Sequence, residues 1–156
     1  MTIAELLTMG MLGFNKAYAM AQEVHKNDNR KDGKTPYMVH IDGVILNTYD
    51  ILQSKHINDR DIIEIYLIVA ALHDAVEEHP ELITFKQIED AVGPLVRLKD
   101  EVFWMMIALV RITKLAKGTQ DYGIYVQEVA RNKYSNIVKQ ADLKHNMSDL
   151  KWSSLY

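Results

Sequence analysis

His73 and Asp74 stand side by side at the end of a strongly apolar run, Ile62 to Ala71, with Glu77 and Glu78 just after them. A second polar knot, Asp142, His145 and Asn146, lies far downstream. Imidazole and carboxylate groups set into apolar faces are costly to desolvate, and a divalent cation compensates their polarity well. His40, on a third predicted helix, offers another imidazole. A nitrogen–oxygen set of His40, His73, Asp74 and Asp142 leaves positions open on a six-coordinate cation, which suits Mn, Fe or a similar metal better than a closed four-ligand zinc site. Open positions are what metal-assisted hydrolysis by activated water requires. Each part also has a plainer reading: a lone His-Asp dipeptide arises by chance, His40 could be a satisfied core histidine, and Glu77-Glu78 could be a solvated helix end. His56 and His79 read as exposed or loop residues, and His25 as a cation placed at the negative end of a helix dipole. The joint pattern weighs against these, because polar groups interrupt apolar faces at matched spacing in three separate helices.

Helices must do the positioning. Apolar residues recur at helical spacing almost throughout and strand-like alternation is hard to find, so the expected fold is an all-α bundle of seven or so helices in one domain, residues 1–156. An N-terminal helical region runs to about His25, with a break near Gly10 or Gly13. Residues 27–36 contain no apolar residue but the closing Pro36 and read as a loop. Further helices are expected from about Tyr37, from about Asp59 through His73 to Glu78, and after Thr84, where Thr84 and Gln87 have capping-box spacing, to Val92. A long helix from Leu95 to about Leu115 follows, ended by Gly118, and then helices over Tyr122 to Arg131 and Asn136 to Leu150. A continuous helix would stack His73 over Glu77 and Asp74 over Glu78. The aromatics Trp152 and Tyr156 read as packing on the domain rather than on a partner.

Composition narrows the function. The 156 residues are 48% hydrophobic with a formal charge of -3, which argues against a general nucleic-acid or membrane-surface binder. A polyanion site must be local, and Arg30, Lys31 and Lys34 in the loop could pair with phosphates or form a solvated loop. With no cysteine, thiol catalysis and disulfides are excluded and any metal takes nitrogen and oxygen ligands. Met1 to Gly13 has no basic leader character and no apolar stretch reaches the roughly 18 residues of a membrane span, so a soluble cytoplasmic protein is expected.

Several separated motifs also resemble one family. His25, Arg30, Gly33, Pro36-Tyr37 and His40 are similar to its stretch of His, Gly-Gln, Arg, Gly, Pro-Tyr and His, and Leu72 to Glu78 resembles its Leu-His-Asp-x-x-Glu-Asp motif. Thr113-Lys114-Leu115 and Val138 to Met147 complete the pattern. This is the HD-superfamily hydrolase domain of the Rel/SpoT enzymes and the small alarmone hydrolases, and the similarity runs from about Ala17 to Leu150. The resemblance implies a Mn2+-dependent pyrophosphohydrolase that removes the 3'-pyrophosphate from (p)ppGpp to give GDP or GTP. It implies metal ligands His40, His73, Asp74 and Asp142, the water-activating pair Glu77 and Glu78, and substrate contacts from Arg30, Lys31 and Asn146. Three departures stand out: Asn27-Asp28 replaces Gly-Gln, Glu78 replaces Asp, and His79-Pro80 follows where Thr is common. Two further functions fit the residues, a phosphohydrolase of the same kind acting on another nucleotide or phosphate ester, and a non-catalytic nucleotide-binding module.

Overall fold

The computed structural model describes residues 1–114 and 121–153, with side chains described as far as residue 148. Gly118 as a helix terminator and the packing of Trp152 and Tyr156 lie outside the described residues. Among them the fold is all-α: α1 (Ile3–Leu7), α2 (Leu12–His25), α3 (Met38–Ser54), α4 (Arg60–Leu72), α5 (Ala75–Glu78), α6 (Phe85–Val92), α7 (Val102–Ile112), α8 (Tyr122–Ala130) and α9 (Lys133–Ser153). No strand forms among the described residues, only an isolated antiparallel bridge between Asn29 and Pro36. None of the helices is long and apolar enough to cross a membrane.

α4 is the axis of the bundle. Asp59 starts it, its Oδ1 accepting from the backbone N–H groups of Asp61 at 2.8 Å and Ile62 at 3.2 Å. Every residue from Ile63 to Leu72 is buried, as expected of a helix apolar on all faces, and α2, α3, α7 and α9 pack around it. The one charged member of that run, Glu64, caps a neighbour. Met11 gives α2 no side-chain cap, and Glu64 Oε2 instead accepts from the N–H groups of Gly13 at 2.9 Å and Phe14 at 3.2 Å. Burial pushes the Glu64 carboxyl up, while the N–H groups of Phe14, Gly13 and Arg97 hold it down.

The capping box at Thr84 and Gln87 forms with both of its bonds, and the break before α2 falls at Gly10, whose φ of 76° lies in the left-handed region that glycine enters freely. Three expectations need correction. The helix from Asp59 does not continue through His73 to Glu78: α4 stops at Leu72, and Asp74, with φ -106° and ψ -6°, turns the chain before the single turn of α5. The His73 ring takes part in that stop, because its Nδ1–H reaches the carbonyl of Ala70 at 2.7 Å. The long helix from Leu95 is instead two short 3-10 turns, Gly93–Leu95 and Lys99–Glu101, followed by α7. Val96 is extended there and wholly buried, and Lys99 donates to the Pro94 carbonyl, so a core anchor and a side-chain bond divide what periodicity joins. Finally, α9 begins at Lys133, not Asn136, because Asn132 Oδ1 caps the N–H groups of Tyr134 at 2.8 Å and Ser135 at 3.1 Å.

Removing the borrowed cap tests this account. Glu64→Ala leaves two buried N–H groups unpaired and is expected to cost about 2–3 kcal/mol in urea unfolding, whereas Glu64→Gln keeps an acceptor and costs less. Equal effects of the two substitutions would show that the N–H groups are satisfied in another way.

Candidate metal centre

Four polar side chains meet where α3, the α4–α5 turn and α9 converge. His40 comes from the first turn of α3, His73 and Asp74 from the turn, and Asp142 from the middle of α9; α3 and α9 pack closely along their lengths, and both touch α4. His40 and His73 are 1% and 2% exposed and Asp142 is 5% exposed, so their polarity is almost wholly withdrawn from water. His40, His73 and Asp74 form one group whose donor atoms all lie within 4.8 Å of one another. Asp142 closes on the two imidazoles from the opposite helix. His40 Nε2 is 3.0 Å from Asp142 Oδ1 and 3.6 Å from Asp74 Oδ2, and His73 Nε2 is 3.0 Å from Asp74 Oδ2 and 3.5 Å from Asp142 Oδ1.

These separations fit a shared cation. Ligands about 2.1 Å from one ion stand about 3.0 Å apart at right angles and about 3.4 Å apart at the tetrahedral angle. Tautomers agree. His73 Nδ1–H is spent on the Ala70 carbonyl, so Nε2 is the nitrogen that faces the two aspartates, and among the described residues this buried atom has no hydrogen-bond partner despite two carboxylate oxygens nearby. The carboxylates thus approach Nε2 by distance without the direction of a hydrogen bond, as atoms do when they address a common point. His40 Nδ1 lies 2.8 Å from His145 Nδ1; with His40 donating, its Nε2 also faces inward as an acceptor.

Electrostatics point the same way. Burial opposes charge on Asp74 and Asp142, yet the neighbouring imidazoles hold both carboxyls well below the usual range. Burial likewise opposes charge on His73, but Asp74 and Asp142 together draw its pKa well above the ordinary value. A buried anion at Asp142 and a partly buried one at Asp74 therefore favour a positive centre, which a proton on His73 supplies in part and a divalent cation would supply in full. Burial holds His40 below the ordinary histidine value, in its neutral, ligating form.

A supporting layer surrounds the four. Tyr37 donates to Asp74 Oδ2 at 2.6 Å, and burial together with the Asp74 charge pushes its phenol up, so it stays a donor. Lys139 Nζ lies 3.0 Å from Asp142 Oδ2. Burial alone would lower the Lys139 pKa, but Asp142 overcomes it and keeps the ammonium charged. The roles of Tyr37, Lys139 and His145 are not evident from sequence reasoning, although each sits three residues from an expected ligand, the spacing at which helical side chains share a face. Gly43 makes room for this layer: a methyl at that position would overlap the His145 ring, so α9 could not lie as closely on α3.

The remaining expected site residues divide. Asn146 Nδ2 donates to Asp142 Oδ1 at 3.3 Å and its Oδ1 accepts from Arg30 at 3.2 Å, so Arg30 and Asn146 are joined at the rim of the centre, with the guanidinium 5.7 Å from the Tyr37 ring centroid. Glu77 accepts from the Lys114 backbone N–H at 2.9 Å, which ties α5 to the end of α7. Glu78 is exposed, and its charge is felt at the Tyr37 hydroxyl. Lys31 is exposed, and among the described residues it makes no hydrogen bond or ion pair that brings it to the centre. His25 does end α2, as expected, but as a residue 1% exposed whose pKa burial lowers even though Asp28 acts against this, so burial works against the cation read there. His79, expected to be an exposed or loop residue, is held between Asp28 and Glu81.

Against known proteins, no family model, no curated protein and no solved structure matches the chain. The class that fold and site define is an all-α protein with a buried histidine–aspartate group able to hold a metal ion.

A divalent transition-metal ion at about 100 times its Kd is expected to stabilise the fold by about 2.7 kcal/mol, raising the thermal midpoint, and Asp142→Ala is expected to abolish the rise. A midpoint that the ion does not move would contradict the site. Gly43→Ala should displace His145 from His40 and weaken metal binding by about 10–100-fold in calorimetric titration, with far-UV circular dichroism unchanged. Wild-type affinity in that variant would remove His145 from the supporting layer.

Proposed function

We propose that the chain is an HD-type, Mn2+-dependent pyrophosphohydrolase that cleaves the 3'-pyrophosphate of (p)ppGpp, giving GDP or GTP and pyrophosphate. The observation that carries this reading is the convergence of His40, His73, Asp74 and Asp142 on one buried point with the Arg30–Asn146 pair at its rim. Bound Mn2+ would lower the pKa of water and neutralise charge on a phosphate oxygen. The chain supplies the rest. Arg30, a planar fork of donors, pairs with a phosphate or stacks on the base, and Asn146 links it to Asp142. Lys139 and Tyr37 keep the two aspartates charged and oriented. Glu77 and Glu78, one turn beyond the ligands, take the proton as the water oxygen attacks phosphorus and the bond to the 3'-oxygen breaks. Lys31 lies further out on the same loop, where it meets the nucleotide only after binding. Such a substrate belongs to the nucleotide pool of the cytoplasm.

A second reading has its own observation. Glu78 is one methylene longer than the Asp of the HD pattern and stands exposed, which alters its reach toward a bound substrate and fits a related phosphohydrolase acting on another nucleotide or phosphate ester.

Incubation with Mn2+ and ppGpp is expected to release pyrophosphate, and Glu77→Gln and Glu78→Gln are each expected to lower kcat by about 10²–10⁴ while metal binding persists. Release from other esters but not from ppGpp would favour the second reading. Absence of turnover on every phosphate ester, with metal bound, would leave a nucleotide-binding module.

A further inference from the structure

A second group of imidazole and carboxylate side chains lies beyond Tyr37 from the first. His25 at the end of α2, Asp28 in the loop and His79 after α5 bring one donor atom each to within 4.8 Å of one another. Asp28 Oδ2 is 3.0 Å from His25 Nδ1 and 2.6 Å from His79 Nε2. The His25 side chain is wholly buried, while Asp28 and His79 are 23% and 20% exposed, so the group has a dry back and an open front. Tyr37 separates the two centres, its ring 4.8 Å from that of His25 and its hydroxyl on Asp74.

The group is built rather than a chance meeting of mobile side chains. The Asp28 N–H donates to the His25 carbonyl at 3.0 Å, the Tyr37 N–H donates to the Asp28 carbonyl at 2.9 Å, and the Asn29–Pro36 bridge closes the loop behind them. His79 Nδ1 lies 2.8 Å from Glu81 Oε1, and with a carboxylate holding Nδ1, the arrangement that orients metal-bound histidines, Nε2 is the nitrogen turned to Asp28; the same two carboxylates raise the His79 pKa, Glu81 most. Burial lowers the His25 pKa, and among the described residues its Nε2 has no hydrogen-bond partner, which leaves Nδ1 as the nitrogen that meets Asp28.

We propose that His25, Asp28 and His79 form a second divalent-cation site, separate from the His40–His73–Asp74–Asp142 centre. Two imidazoles and one carboxylate, without sulfur, favour a borderline ion such as Zn2+ or Co2+ and leave positions open toward solvent. The competing occupant is a proton, with His79 as an imidazolium spanning Asp28 and Glu81. The site stands on its own donors and does not depend on the proposed hydrolase activity.

Co2+ bound after equilibrium dialysis distinguishes the two. Wild-type protein is expected to hold two equivalents, and Asp28→Asn, His79→Ala and Asp142→Ala one each, with helicity checked by circular dichroism. Asp28→Asn is nearly isosteric and covers the case in which His79→Ala fails to fold. A single wild-type equivalent that His79→Ala or Asp28→Asn removes and Asp142→Ala leaves in place also supports the site, and instead overturns the first centre. Wild-type stoichiometry in both Asp28→Asn and His79→Ala overturns the proposal and leaves a hydrogen-bonded clamp, as does wild-type protein that takes up no ion.

Discussion

Withdrawing two imidazoles, the Asp142 carboxylate and most of the Asp74 carboxylate from water inside an apolar bundle is the constraint around which this molecule is arranged. Asp74 and Asp142 cannot both remain ionised in that setting without a positive partner, and the chain provides several partial answers at once: His73, Lys139 and the Tyr37 hydroxyl. Each meets one side of a group in which both Nε2 atoms lie within 3.6 Å of the two carboxylates. A cation there would satisfy the unpartnered nitrogen of His73 and both carboxylates together, and would convert a set of competing demands into one closed arrangement.

The helices are shaped by that demand. α4 can be apolar on every face because it is enclosed by four other helices, and its abrupt end places His73 and Asp74 at the edge of the core rather than within it. α9 delivers Asp142, His145 and Asn146 along one face, and its close approach to α3 depends on Gly43 having no side chain. The loop of residues 27–36 is held by short backbone bonds, so Arg30 and Asp28 are presented from a fixed frame. Packing, which is non-directional, sets the helices near one another; glycine, a helix stop and a bridged loop then set the directions of individual atoms.

Much of this was legible in the sequence, and the limits have physical causes. Helical periodicity identified the all-α architecture and placed His40, His73, Asp74 and Asp142 on three segments that do converge, because apolar spacing reports which face a helix buries. It could not report the stop at Leu72, since the His73 bond to the Ala70 carbonyl is a side-chain choice that leaves the apolar pattern intact. It joined Leu95 to Leu115 because a buried extended Val96 scores like a helical core residue. Spacing treats His25 and His79 singly, as a helix-end cation and an exposed or loop residue, whereas their shared environment is created by contacts across more than fifty positions of chain. The supporting roles of Tyr37, Lys139 and His145 depend on orientation in three dimensions, which spacing suggests only after the ligands are known.

An anomalous-difference map from a crystal of the protein soaked in Mn2+ addresses the first centre directly. The account predicts a peak about 2.0–2.3 Å from the Nε2 atoms of His40 and His73 and from carboxylate oxygens of Asp74 and Asp142. No peak at that point, with the four side chains arranged as described, would contradict it.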